Sequence, residues 1–229
     1  MIHTATIKIK VVLGEPSPPP PPPPPPFVGT KIKIAVPTDD FEYRIYNLEM
    51  AGAGNQYVID WGDGETTVIT SPSISGQWHV YAKSGVYEIR IPDNLNSIQL
   101  GTSSGSDERY VNVYPQMVRS FVSNATNLSQ IKTAAFYNCS NMTEFSIPVP
   151  PVTMLNNNAF TNCSALQGRI DLPHITGIGR MPTMRFFTGC TGLTEIHFPA
   201  ASEAAITSAS PYKADPTLGS GNAVCVFDL

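Results

Sequence analysis

The chain has 229 residues, enough for one large domain or two small ones, and only 14% of them are charged, against roughly 25% in an ordinary soluble domain. Ser, Thr and Asn make up 53 residues, which predicts a largely neutral surface rich in hydroxyl and amide groups. A net charge of -4 argues against nucleic acid as a partner, and no apolar run approaches the roughly 18 residues of a membrane span.

The N-terminal segment alternates between apolar and polar residues, with Ile7, Ile9 and Val11 on one side, and it lacks the pattern of a signal peptide. Nine consecutive prolines, Pro18 to Pro26, follow and predict a stiff extended rod on the order of 28 Å long. Because a lone strand leaves its backbone groups unpaired, residues 2–13 should join a sheet, either of this chain or of a partner protein. We therefore treat residues 1–29 as a strand anchor with a polyproline linker.

Residues 30–100 contain short alternating runs divided by Gly, Asn, Asp and Ser, and they contain no long helical pattern. This spacing predicts a small β-sandwich. The runs are Thr30 to Val36, Tyr43 to Tyr46, Tyr57 to Trp61, Thr66 to Ile69 and Val86 to Ile91.

Three short motifs in this region follow one another in a recognisable order. They are Asp60-Trp61-Gly62-Asp63-Gly64, then His79 and Tyr81, then Gly85 and Tyr87. Together they resemble the W-G-D-G, H-x-Y and G-x-Y-x-V signature of PKD-like domains, with Ile89 in place of the usual valine. The resemblance implies an immunoglobulin-type β-sandwich that serves as a spacer or binding module, with these residues in structural roles.

A repeat occupies much of residues 101–199 and is marked by a phenylalanine three residues before a cysteine. Successive cysteines are separated by 24 and 27 residues, and a degenerate earlier copy carries Ala125 instead of cysteine. The pattern resembles the BspA-like leucine-rich repeat, which implies a short solenoid whose apolar residues form inward ladders. The ladder residues would be Phe136, Cys139, Phe160, Cys163, Leu166, Phe187, Cys190 and Leu193.

Residues 200–229 depart from the repeat and predict a C-terminal cap, with a short helix over residues 202–207 and a last strand over residues 223–229. The whole chain is therefore expected to be mainly β. The four cysteines form no C-x-x-C pair, so buried free thiols are expected rather than a zinc or redox site.

No pattern in the chain predicts an enzyme, a cofactor or a metal. Residues 101–105 match G-x-S-x-G, but residues 106–114 indicate loop and strand rather than the helix that a nucleophile elbow requires. Histidines are scattered, and the two carboxylates of Asp60 and Asp63 are too few to predict a calcium site. His79 is expected to make a structural hydrogen bond.

The two resemblances, taken with the lack of a visible export signal, imply a non-enzymatic phage structural protein at the virion surface, a capsid decoration or a fibre-like appendage, because lysis would release such a protein without export. Its N-terminal strand would dock on other virion proteins, and its repeats would meet a host-surface glycan or protein, in a homo-oligomer. The alternatives are a bacterial secreted or cell-surface adhesin and an accessory module of a carbohydrate-active enzyme. Tyr114, Tyr137 and Arg169 are candidates for an exposed binding face.

Overall fold

A computed structural model describes residues 26–52, 56–103, 108–148, 152–179 and 184–229. The predicted anchor residues Ile7, Ile9 and Val11 lie outside the described residues, as do all but the last of the nine prolines. Within the described residues, no helix is long and apolar enough to cross a membrane.

The described chain is mainly β, as expected. The first seven strands are β1 (Gly29–Val36), β2 (Phe41–Met50), β3 (Tyr57–Asp60), β4 (Thr66–Ile69), β5 (Ser73–Tyr81), β6 (Gly85–Pro92) and β7 (Leu95–Gln99). Two short helices, α1 (Glu108–Asn112) and α2 (Tyr114–Met117), lead into β8 (Val118–Ser123), β9 (Gln130–Ile131), β10 (Glu144–Ser146), β11 (Met154–Leu155), β12 (Gln167–Asp171), β13 (Gly177–Ile178) and β14 (Gly192–Phe198). A 3-10 turn over Ala200–Ser202, helices α3 (Glu203–Ser208) and α4 (Ser210–Ala214), and β15 (Val224–Phe227) complete the chain.

The strands of the N-terminal half form because their apolar residues alternate with polar ones. In β1, Ile32, Ile34 and Val36 are buried, whereas Lys33 between them is exposed. Strand residues spaced by two share a face, so this alternation places one face of the sheet against the core. The strands expected from the sequence in this region are confirmed.

Two six-stranded sheets combine strands of the N-terminal half with strands from later in the chain. The first has the order β10-β8-β1-β6-β3-β4, and the second has the order β13-β11-β9-β7-β2-β5. Buried side chains between Ile32 and Ala223 belong to a single hydrophobic core. The strands early in the chain and those of the repeats therefore share the same sheets and the same core.

In both sheets, a strand that precedes residue 100 is hydrogen-bonded to a strand that follows it. In the first sheet, β1 pairs antiparallel with β8, with Lys31 opposite Val122. In the second sheet, β7 pairs parallel with β9, with Ser97 opposite Gln130. The domain boundary near residue 100 stays a prediction. Both six-stranded sheets contain strands from before and after that residue.

The segment after residue 107 differs from the expectation of loop and strand. It forms α1 and α2, in which Tyr110 and Tyr114 pack edge to face with ring centroids 5.4 Å apart. The alternation of apolar and polar residues suggests a strand, but the two tyrosines lie in successive short helices that pack against each other. Contacts with Tyr43 and Tyr46 in β2 bury both tyrosines, and such tertiary packing overrides local propensity.

The C-terminal segment contains the expected helix and last strand, as α3 and β15. Strand β15 pairs parallel with β14 in a third sheet of order β12-β14-β15. The cysteines make no disulfide, and three are buried, but Cys225 in β15 is only half-buried, contrary to the expectation for all four.

The residues that follow the last proline are hydrogen-bonded to Asn124, which directly follows β8 of the first sheet. The side chain of Asn124 accepts a hydrogen bond from the Gly29 N–H at 2.7 Å and donates one to the Phe27 carbonyl at 3.2 Å. The Asn124 N–H also donates to the Gly29 carbonyl at 3.0 Å. A single side chain therefore fixes the point at which the chain leaves the proline run and enters β1.

Candidate binding surfaces

The turn between β3 and β4 is held by its own aspartates. Asp60 accepts a hydrogen bond from the Gly62 N–H at 2.9 Å, and Asp63 accepts one from the Glu65 N–H at 3.1 Å. Such bonds from a short carboxylate to a backbone N–H two residues on are typical of tight turns. In the described ranges, no group of three or more His, Cys, Asp or Glu residues could hold a metal ion.

A stack of aromatic rings lies behind this turn. The buried Trp61 indole lies parallel to the His79 ring, with centroids 5.1 Å apart, and His79 meets Tyr81 edge to face at 4.7 Å. Tyr81 stacks on Tyr87 at 4.4 Å and donates its hydroxyl proton to the Trp61 carbonyl at 2.9 Å. The Trp61 indole N–H donates to Thr67 at 2.9 Å. The motif residues thus tie β3, β4, β5 and β6 together.

A side-chain hydrogen bond connects the turn to β5. The Nε2 atom of His79 lies 2.7 Å from Oδ2 of Asp63. Burial alone would raise the pKa of Asp63, but its hydrogen bonds with His79 and the Glu65 N–H outweigh that effect and lower it. His79 therefore makes a side-chain hydrogen bond that holds the turn in place, as the sequence suggested.

Inside the repeats, the phenylalanines predicted as a ladder stack on one another. The rings of Phe136 and Phe160 lie 5.2 Å apart at 17°, and those of Phe160 and Phe187 lie 5.1 Å apart at 3°. The thiols of Cys163 and Cys190 donate to the carbonyls of Phe136 and Phe160 in the preceding coil, at 3.1 and 2.9 Å. The remaining ladder residues, Cys139, Leu166 and Leu193, are also buried.

The position before each ladder cysteine is a second repeated feature, which the sequence did not reveal. Asn138, Asn162 and Gly189 all adopt a left-handed backbone, with φ of 61°, 63° and 79°. Asparagine and glycine tolerate this conformation best, which explains their presence at this position. The Asn162 amide also donates to the Asn138 side chain at 2.7 Å. The sequence signal for this conformation was the Asn or Gly that directly precedes each cysteine in the F-x-[N/G]-C motif.

The three residues predicted to form an exposed binding face differ in their exposure. Tyr114 is fully buried, so its assignment to a binding face was wrong; the aromatic residues of β2 cover it. Tyr137 is half-buried. Arg169 is exposed, but its guanidinium pairs with Asp171.

An open groove that the sequence did not predict follows β5, the edge strand of the second sheet. It has a volume of about 640 Å³ and contains Trp78, Val80, Lys83, Tyr87 and Glu65 in its lining. Trp78 is 56% exposed, although tryptophan is usually buried. Because side chains alternate along a strand, Trp78 and Val80 point to the side of β5 opposite His79. The stacking of His79 on Trp61, which no local sequence pattern gives, shows that the His79 side faces inward.

A second, smaller groove is lined by polar residues at the ends of β7, β9 and β11. It measures about 330 Å³ and includes Gln99, Gln130, Lys132 and Asn156. Lys132 forms an ion pair with Glu49. The amide-rich lining of this smaller groove agrees with the neutral polar surface expected from the composition.

A cluster of one histidine and two carboxylates lies at β14 and the end of β15. The imidazole of the almost fully buried His197 lies between Glu195, whose carboxylate is 2.8 Å from Nε2, and Asp228, whose carboxylate is 2.6 Å from Nδ1. Burial and the nearby Arg169 lower the pKa of His197, but the two carboxylates outweigh them and raise it. When it is protonated, the ring can donate to a carboxylate on each side, and it so links β14 to Asp228, which follows β15.

This bridge predicts a pH-dependent contribution to stability. A raised pKa in the folded state means that the contribution is complete below the ordinary histidine pKa and is lost as pH rises through the raised value. His197→Gln should lower the free energy of unfolding by about 1 kcal/mol near pH 5, and by less near pH 9. Thermal unfolding of both proteins across this range tests it; a difference independent of pH would contradict it.

Comparison with known families identifies one region. Residues 110–210 match the BspA type leucine rich repeat region, in six copies. The match begins in α1 and ends at the start of α4, so it extends past residue 199, where the sequence pattern was judged to end. No curated protein and no solved structure shows significant similarity to the chain.

Proposed function

We propose that the chain is a non-enzymatic display protein of a phage particle. In this proposal the N-terminal strand anchors it to other virion proteins and the proline run acts as a spacer. A PKD-like sandwich and a BspA-like solenoid with a C-terminal cap face outward for adhesion to the host surface. Leucine-rich repeats commonly serve as interaction surfaces, so the matched residues 110–210 agree with such a role.

The observation that carries the proposal is the continuity of the two sheets across residue 100. An interaction surface on a spacer works best when the body that bears it is stiff, because less conformational freedom is then lost on binding. The hydrogen bonds of Asn124 with Gly29 and Phe27 support this proposal, since they hold the residues next to the proline run against the first sheet.

The PKD-like assignment rests on the contacts of its motif. Trp61 lies in the core, and the Asp63–His79 pair holds the turn against β5. The hydroxyl of Tyr81 donates a hydrogen bond to the Trp61 carbonyl. Trp61, Asp63, His79 and Tyr81 thus have structural roles, and we place binding on the outer surface.

A bacterial secreted or cell-surface adhesin is the second candidate. The BspA-type match favours it equally, because the interaction surface of the repeats would be the same on a cell as on a particle. The two candidates differ in what the N-terminal segment does, since only the virion proposal requires that it dock on other subunits.

Light scattering of the full chain and of a variant beginning at Phe27 tests the anchor. The virion proposal predicts that the full chain assembles into an oligomer and that the shortened chain is a monomer. Two identical monomers would contradict the anchor and favour the adhesin. Oligomers of equal size would also contradict it, because assembly would then use the body.

A further inference from the structure

We propose that the groove along β5, centred on Trp78, is a binding site for a neutral glycan. The inference rests on the adhesion role proposed above, and it assigns that role to a surface outside the family-matched repeats. Nothing else in the described part of the chain combines a large exposed aromatic ring with a concave lining.

The first argument is the placement of Trp78. It lies opposite Arg44 on the outer face of β5, with Val80 two residues further along the same face and 43% exposed. Neighbouring exposed apolar side chains form a contiguous patch, and such patches mark interaction sites more often than singly scattered apolar residues do. The indole face carries partial negative charge, which attracts the C–H groups on the face of a sugar ring.

The second argument is the polar rim around the indole. The Glu65 carboxylate makes no ion pair with any residue that the structure describes, so both its oxygens are available to accept hydrogen bonds. Lys83 reaches into the same groove while its ammonium group lies 2.8 Å from Asp39. The Tyr87 hydroxyl donates to the Lys83 carbonyl at 2.7 Å and still offers a lone pair. Sugar hydroxyls need both donors and acceptors of this kind.

The charges favour a neutral ligand. Lys83 is paired with Asp39, and Asp63 and Glu65 in the same lining are carboxylates, so the groove holds no cationic excess that would attract a phosphate or sulfate polymer. Its volume of about 640 Å³ lies within the range of small-molecule sites.

The edge of β5 is poorly suited to the alternative occupant, an extended peptide strand. Gly76, two residues before Trp78, has φ of 72° within the strand. A left-handed residue kinks an edge strand and interrupts the regular row of backbone groups that strand addition requires.

The test is isothermal titration of the full chain with soluble neutral cello-, malto-, manno- and chito-oligosaccharides. We expect at least one series to bind, with Trp78→Ala weakening the binding by about tenfold or more and Trp78→Tyr keeping most of it. Val58→Ala, an exposed apolar residue on β3, serves as the matched control and should leave binding unchanged. Equal melting temperatures show that the variants are folded.

Three results would overturn the inference. The first is that no series in the panel binds, and the second is that Trp78→Ala binds as well as the unaltered chain. The third is that heparin or an extended peptide binds in the groove instead, with the same dependence on Trp78. Sugar binding that does not depend on Trp78 would reject this site and leave the adhesion role standing, whereas failure of the N-terminal anchor would leave Trp78-dependent binding intact.

Discussion

Phe160→Ala is expected to lower the free energy of unfolding by about 3–5 kcal/mol, the usual cost of removing a buried aromatic ring. Phe160 is completely buried and lies between the parallel rings of Phe136 and Phe187. Phe145 also meets it edge to face at 4.8 Å. Removing the ring opens a cavity in the middle of the ladder, which the neighbouring coils cannot close because their backbones are hydrogen-bonded to one another. Chemical denaturation followed by circular dichroism measures the loss.

Val224→Ala is the control for this variant. Val224 lies in β15 and is 63% exposed, so its truncation should change the free energy of unfolding by about 0.5 kcal/mol or less. A loss for Phe160→Ala no greater than that of the control would mean that the stacked rings do not form the core of the repeats.

Gly62→Ala is expected to lower the free energy of unfolding by about 2–5 kcal/mol. Gly62 has φ of 83°, and a Cβ atom there would lie 2.5 Å from the Glu88 carbonyl oxygen and 2.9 Å from the Glu88 nitrogen. Both atoms belong to the backbone of β6, so neither can turn aside. The turn would have to separate from β6, with loss of the Trp61 packing behind it. Thermal unfolding monitored by tryptophan fluorescence reports both effects.

Gly64→Ala isolates the steric part of this effect. Gly64 lies in the same turn with φ of 98°, but a Cβ atom there would meet nothing within 4 Å. It should therefore lose only the cost of a left-handed backbone, about 1–2 kcal/mol. Equal losses for the two variants would show that the approach of Gly62 to β6 does not limit stability.

Much of the local structure could be predicted from the sequence because it depends on neighbouring residues. The alternation in β1 and the Asp-Gly turn after Trp61 are signals within a few residues, and the cysteine spacing identified the repeat. The pairing of β7 with β9, by contrast, depends on Ser97 meeting Gln130. Two residues so far apart leave no trace in local periodicity, so the continuity of the sheets could not be predicted.

The candidate surface shows the same limit. Tyr114 and Trp78 are both aromatic residues in alternating segments, and no local pattern separates them. Tyr114 is buried because α2 packs against β2, whereas Trp78 is exposed because it lies on the face of the second sheet that points away from the core. Which face of a strand is covered depends on how distant elements pack, and local sequence does not record that packing.

The central claim is that strands before and after residue 100 form one rigid body. Native-state hydrogen exchange at the amides of β6 and β14, in the unaltered chain and in Phe160→Ala, tests it most directly. If the body is one cooperative unit, the ring removed from the repeats lowers protection in β6 by the same factor as in β14. Loss of protection in β14 with none in β6 would show two independent units and contradict the claim.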